Sequence, residues 1–237
     1  MEWSRSASSS STPRPSRSSM TGSDADPQNI SDGDVSRETP PPHAAGVFAS
    51  RLALAQEYAH ILATDGVLKG LIGPREVPRI WDRHIMNSAV VLPRVPQQAS
   101  VADIGTGAGL PGLVWAIARP DLSVTLIEPL LRRTTFLEDA VRDLGLDNVS
   151  VVRSRAEDVN ETYDVVTARA VAALDKLGRW CLPLVKPGGV LLALKGRTAQ
   201  DEVTAATATL HRLGATSIVV STYDNGDVPT TVVEVTK

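Results

Sequence analysis

The run Asp103-Ile104-Gly105-Thr106-Gly107-Ala108-Gly109-Leu110-Pro111-Gly112 constrains this chain more than any other stretch. It follows residues 101–104, an apolar run of strand length, and leads into residues 110–118, whose apolar positions suit a helix. A glycine turn between strand and helix lets the backbone approach a bound nucleoside and points amides at it, where a side chain would clash. Dinucleotide-binding domains use such turns too, so the glycines alone do not choose the ligand. Asp103 narrows the choice. In a dinucleotide fold the residue two before the first glycine is normally apolar and buried. A carboxylate there suits a cationic ligand, such as the methionine end of a sulfonium cofactor. A dinucleotide site and a purely structural turn remain the alternatives.

The same strand-then-helix alternation continues to the end of the chain. Strands are expected at 101–104, 123–127, 149–153, 164–167, 190–194, 216–223 and 230–235, with helices at 110–118, 130–144, 174–184 and 200–213. Alternation of this kind implies an α/β fold, a mostly parallel seven-stranded sheet covered on both faces. Pro187-Gly188-Gly189 reads as a turn feeding the fifth strand. The last two strands flank Asp224-Asn225-Gly226-Asp227 and read as a hairpin that adds an antiparallel strand. Ahead of this domain, residues 43–99 read as a helical cap with helices at 48–63 and 75–91, closed by Pro93 and Pro96. Residues 1–42 are crowded with serine and proline and nearly free of aliphatic side chains, so they are expected to form a disordered tail.

Composition removes several classes of function. The single cysteine, Cys181, excludes a disulfide framework and a cysteine-rich zinc site, and no metal is expected. No stretch approaches the roughly 18 apolar residues of a membrane span, so none is expected. A net charge of −3 leaves no global basic footprint for a nucleic acid. A local one is expected instead, with Arg132, Arg133, Arg169, Lys195 and Arg197 on one rim of the sheet.

Ligands of open α/β sheets bind outside the carboxyl ends of the strands. Glu128 ends the second strand about 20 residues past the glycines, where an acid binds ribose hydroxyls. Ala156-Glu157-Asp158 follows the third strand, where an adenine ring is expected; an acid at a helix start explains Glu157 nearly as well. Arg169 leaves the fourth strand and Lys195 the fifth, with Arg197 just beyond. His84, on an amphipathic cap helix, is a weaker candidate. Trp81, Trp115, Trp180 and Cys181 are assigned to the core.

These residues together resemble the RsmG/GidB family of bacterial 16S rRNA guanine-N7 methyltransferases. The resemblance spans residues 48–235 and rests on the 103–112 run, Trp81-Asp82-Arg83-His84, Ser154-Arg155-Ala156-Glu157, Ala168-Arg169-Ala170 and Leu194-Lys195-Gly196. It departs at Asn87, where many members carry aspartate. The resemblance implies a class I, Rossmann-like methyltransferase domain over 100–237. It further implies S-adenosyl-L-methionine contacts at Gly105, Leu110, Ala156, Glu157 and Arg169, beside Asp103, Gly107 and Glu128 from the residue reading. The implied acceptor is N7 of guanine 527 in 16S rRNA of the small ribosomal subunit, and the implied setting is a cytoplasmic monomer. The local chemistry agrees. The fourth strand ends Thr167-Ala168-Arg169-Ala170, without the Pro-Pro-aromatic loop of many enzymes that methylate exocyclic amines. Guanine N7 carries an in-plane lone pair and needs no proton removed, so no general base is expected. Arg169, Lys195, Arg197 and His84 are candidates to position the substrate.

Removing residues 1–42 is expected to leave the melting temperature and cofactor affinity nearly unchanged. Thermal melts and calorimetry on the truncated chain check this; a large drop in either would show that the tail packs on the domain.

Overall fold

The computed structural model describes residues 39–224 and 229–237. Nearly all of the expected tail, and Asn225 to Asp227 of the expected terminal turn, lie outside the described residues.

The sheet is assembled from β1 (Ser100–Ile104), β2 (Ser123–Ile127), β3 (Val149–Val152), β4 (Tyr163–Arg169), β5 (Val185–Lys195), β6 (Ser217–Tyr223) and β7 (Thr230–Thr236). Their order is β3-β2-β1-β4-β5-β7-β6. Pairings among the first five strands are parallel, and β7 runs antiparallel to both β5 and β6. The expected antiparallel strand is therefore the final one, inserted between β5 and β6. This is a Rossmann-like α/β sheet of seven strands, as the alternation implied.

Helices α1 (Ala44–Phe48), α2 (Leu52–Ile61) and α3 (Asn87–Ala89) belong to the cap. The sheet's own helices are α4 (Gly112–Ala118), α5 (Leu131–Asp143), α6 (Leu174–Cys181) and α7 (Ala199–Arg212). Strand side chains alternate between two faces. Val101, Val165, Leu192, Leu194 and Val232 join the cap, α4 and α5 in one core. Ala102, Ile104, Val166, Ala168, Leu191, Ala193, Val233 and Val235 join α6 and α7 in the other. Both faces are covered, which is why the central strands are almost continuously apolar.

The cap differs from the two helices expected. The first is interrupted at Ala49, where φ is +45°, and ends in a wide π-helical turn, Leu62–Gly66. The second breaks into a 3-10 turn (Pro74–Arg79), a π-helical turn (Ile80–Met86) and short α3. Pro78 has no amide hydrogen to give an α-helical ladder, so a regular helix cannot run through it. Pro187-Gly188-Gly189 also differs from expectation. It forms a bulge inside a longer β5, with Tyr163 opposite Val185 and Val165 opposite Val190. No helix among the described residues is long and apolar enough to cross a membrane.

Specific bonds tie the cap to the sheet. Trp115 of α4 is fully buried and donates its Nε1–H to the Ser88 carbonyl at 2.8 Å. Arg94 donates two bonds, 2.9 and 2.7 Å, to Oε2 of buried Glu234 on β7. Trp115→Phe keeps most of the apolar contact but leaves the Ser88 carbonyl without its donor, so it should cost about 1–3 kcal/mol. The urea midpoint checks this; an unchanged midpoint would mean that the bond does not hold the cap.

Candidate functional site

The strand order reverses between β1 and β4, and the carboxyl ends of β1 to β4 open there. A cavity of about 450 Å³ lies at that edge. Its wall includes Gly105 after β1, Glu128, Pro129 and Leu130 after β2, Ser154 to Glu157 after β3, and Ala170 and Val171 after β4. Of the residues expected to hold a cofactor, Gly105, Glu128, Ala156 and Glu157 stand in this wall.

Asp103 lies beneath the glycine turn and is completely buried. Its Oδ2 accepts the Thr106 hydroxyl at 2.6 Å and the Gly112 amide at 2.8 Å, which folds the turn and starts α4. The helix therefore begins at Gly112, later than the expected residue 110. Oδ1 has no hydrogen-bond partner among the described residues. Burial pushes the carboxyl up to about 6, against the bonds from Thr106 and Gly112. Gly105 has φ +63°, and a Cβ there would stand 3.0 Å from a Val171 methyl. Glycine thus meets both the backbone conformation and the tight approach.

Glu128 is 1% exposed, yet its oxygens receive only long bonds: Gly107 N–H and Leu130 N–H at 3.2 Å, and Arg133 at 3.4 Å. A carboxylate has about four acceptor positions, so these leave capacity for further hydroxyl donors. Gly107 reaches the site through that bond. Leu110 is buried in the cap-side core and is not part of the cavity wall.

Arg169 ends β4 on the cap side of the sheet. Its guanidinium donates to His84 Nδ1 at 2.9 Å and more weakly to the Arg83 carbonyl at 3.4 Å. An arginine can only donate, so Nδ1 accepts and the imidazole hydrogen sits on Nε2. Nε2 is 3.2 Å from Glu76 Oε2, without the alignment of a good hydrogen bond. Burial first, and the Arg169 charge second, push His84 down to about 4, so the ring is neutral near pH 7. His84 supports Arg169.

The cations expected on one rim are divided in the structure. Arg132 and Arg197 are exposed. Arg133 pairs with Glu128, and Arg169 turns toward the cap. Lys195 turns the other way: it follows Leu194, which is in register with Arg169, and so emerges on the α6/α7 face. There it pairs with Glu202 at 2.7 Å and is 9% exposed. Strand alternation thus divides side chains that adjacent strand ends seemed to collect.

Two features escaped the sequence reading. Trp180, assigned to the core, is half-buried and lines the cavity, with Lys176 Nζ 4.7 Å from its ring. Tyr58 of α2 is completely buried and donates to the Ala108 carbonyl at 2.8 Å, bracing the glycine turn from the cap. Helical spacing identifies an inward face but not which inward residue meets a distant loop. Trp81, Trp115 and Cys181 are core residues, and burial holds the Cys181 thiol far above its ordinary value. Among the described residues no group of three or more His, Cys, Asp or Glu side chains is placed to hold a metal.

Comparison with known proteins places this geometry. Residues 51–228 match the family described as rRNA small subunit methyltransferase G, GidB. The chain is 57% identical over 209 residues to the ribosomal RNA small subunit methyltransferase G of a Nocardioides species, covering 85% of this chain and 84% of that one. To the protein of the same name from Salinispora tropica it is 55% identical over 214 residues, covering 84% and 88%. Solved structures share the fold at low identity. The S-adenosylmethionine-dependent methyltransferase SibL matches with a TM-score of 0.56 at 18% identity, over 76% of this chain and 61% of that one. The M. jannaschii TYW2 structure, in complex with AdoMet, matches with a TM-score of 0.52 at 17% identity, over 66% and 77%. With its sheet order, glycine turn and these sequence matches, the chain belongs to the rRNA small subunit methyltransferase G family.

Proposed function

We propose that this protein transfers the methyl group of S-adenosyl-L-methionine to N7 of guanine 527 in 16S rRNA of the small ribosomal subunit, acting as a cytoplasmic monomer. The observation that carries the reading is a family-typical glycine turn set over a buried, half-satisfied aspartate beside a nucleoside-sized cavity. The residues fit the cofactor. Asp103 is buried beneath the turn and outside the cavity wall, and its unpartnered Oδ1 puts negative charge under the methionine end; Glu128 has acceptor capacity for a ribose diol; Ala156 and Glu157 in the wall are assigned to the adenine ring. When bound, the cofactor supplies an electrophilic methyl group on a sulfonium. The chain's own residues hold the two reactants in line and keep water out. No side chain is required to take a proton from N7. The neutral His84 is committed to Arg169, whose guanidinium it holds at the end of β4 under the cap. Exposed Arg197 is assigned to the RNA backbone.

Two outcomes test the cofactor half. Gly105→Val should abolish S-adenosyl-L-methionine binding in calorimetry, because the branched side chain meets Val171 and enters the cavity wall; undiminished binding would place the site elsewhere. Affinity should also depend on pH. Asp103 titrates near 6, and a cation favours its ionised form. Affinity should therefore be full above pH 7 and fall roughly tenfold per unit below 6, a slope that Asp103→Asn removes.

The substrate half is tested by incubating purified small subunits with labelled cofactor and mapping the modified base. Label at guanine N7 of position 527 is expected; label at any other position overturns the assignment. Arg169→Ala should lower the single-turnover rate by an order of magnitude or more, since a lost base or phosphate contact costs about 1–3 kcal/mol.

A further inference from the structure

The segment between β4 and α6 supplies Ala170 and Val171 to the cavity wall beside the glycine turn. Ala170 has φ +55°, a left-handed conformation that costs a non-glycine residue roughly 1–2 kcal/mol. Val171, next along, packs so close to Gly105 that it sets the width of the cavity there. Two side chains outside the segment bond to its backbone.

These are Lys195 and Glu202. The Lys195 ammonium donates to the Ala172 carbonyl at 2.6 Å and to Glu202 Oε2 at 2.7 Å. The same Oε2 accepts the Leu174 amide at 2.9 Å, and Oε1 lies 3.3 Å from the Thr198 hydroxyl. One ion pair thus grips a carbonyl and an amide of the segment from β5 and α7. Burial alone would raise the Glu202 carboxyl, but the bonds from Lys195 and Leu174 outweigh it and hold it below the ordinary value.

We infer that Lys195 and Glu202 are positioning residues, their ion pair fixing residues 170–174 against the glycine turn, so that Lys195 serves methyl transfer through this segment and without touching RNA. The kinetic arm of the test rests on the proposed transfer to rRNA; the structural arm does not. A clamp and a phosphate ligand make opposite demands on Glu202. Neutralising Glu202 releases a phosphate-binding lysine and should strengthen RNA binding, whereas it breaks a clamp.

The experiment uses the full chain with Lys195→Ala, Glu202→Gln and the double substitution. Exchange of the Leu174 amide hydrogen, without RNA, should speed at least roughly tenfold in each variant while exchange in the central strands is unchanged. Single-turnover methylation of small subunits should fall roughly tenfold or more in each single variant, and the double should be no slower than the worse single. The slope of RNA affinity against salt should match wild type, because no counterion-releasing contact is lost. Unchanged exchange at the Leu174 amide overturns the inference. So does a Glu202→Gln enzyme at full rate beside a Lys195→Ala enzyme with a shallower salt slope. A wild-type chain that leaves subunits unmethylated would sink the transfer reaction, and the exchange data would still decide the clamp. Should Lys195→Ala fail to fold, Glu202→Gln, nearly isosteric, carries the test.

Discussion

A single buried carboxylate organises the site. Asp103 ends β1, and its Oδ2 gathers the Thr106 hydroxyl and the Gly112 amide into one place. Burying a charge without full pairing is unfavourable, and burial accordingly raises the Asp103 carboxyl above its ordinary value. The packing around it leaves no room for substitution. A Cβ at Gly112 would collide with Leu126 and stand 2.8 Å from Asp103 Oδ2, so the aspartate and the glycine nine positions later require each other. Without that pairing neither the turn nor the start of α4 has its present geometry.

The sheet then distributes the chemistry by parity. Residues of β4 and β5 that point toward the cap are Thr167, Arg169, Leu192 and Leu194; those that point away include Ala168, Ala193 and Lys195. Arg169 therefore meets His84 from the cap, and Lys195 meets Glu202 from α7. Two cations one step apart along neighbouring strand ends acquire separate tasks on opposite sides of a layer that neither can cross. Burial lowers the Arg169 guanidinium from its ordinary value, and the neutral imidazole accepts from it without adding a second charge.

Much of this was legible in the sequence. The strand-helix alternation, the glycine turn and the acid after β2 each rest on local pattern, and all three stand where the spacing put them. What was illegible depended on long-range contact. The cap helices read as regular because apolar spacing does not register the π-helical turns at Leu62–Gly66 and Ile80–Met86. Lys195 counts with the rim cations in the sequence because its partner, Glu202, sits beyond a loop and on a helix whose rotation spacing alone does not specify. Counting alternate residues from Leu192 would have placed Lys195 on the far face, though not against the Ala172 carbonyl.

The cap is part of the site's construction as well as a cover for the sheet. Three of its residues reach the machinery at separate points: Tyr58 to the Ala108 carbonyl, Ser88 to Trp115 behind α4, and His84 to Arg169. Each contact joins residues 27 to 85 positions apart, so none can form until cap and sheet have packed together. The glycine turn is thus braced from one side by Asp103 and from the other by Tyr58, while the segment facing it is gripped by Lys195 and Glu202. A reaction that requires no proton transfer from its acceptor depends on alignment, and this chain spends its buried polar groups on holding backbone in place.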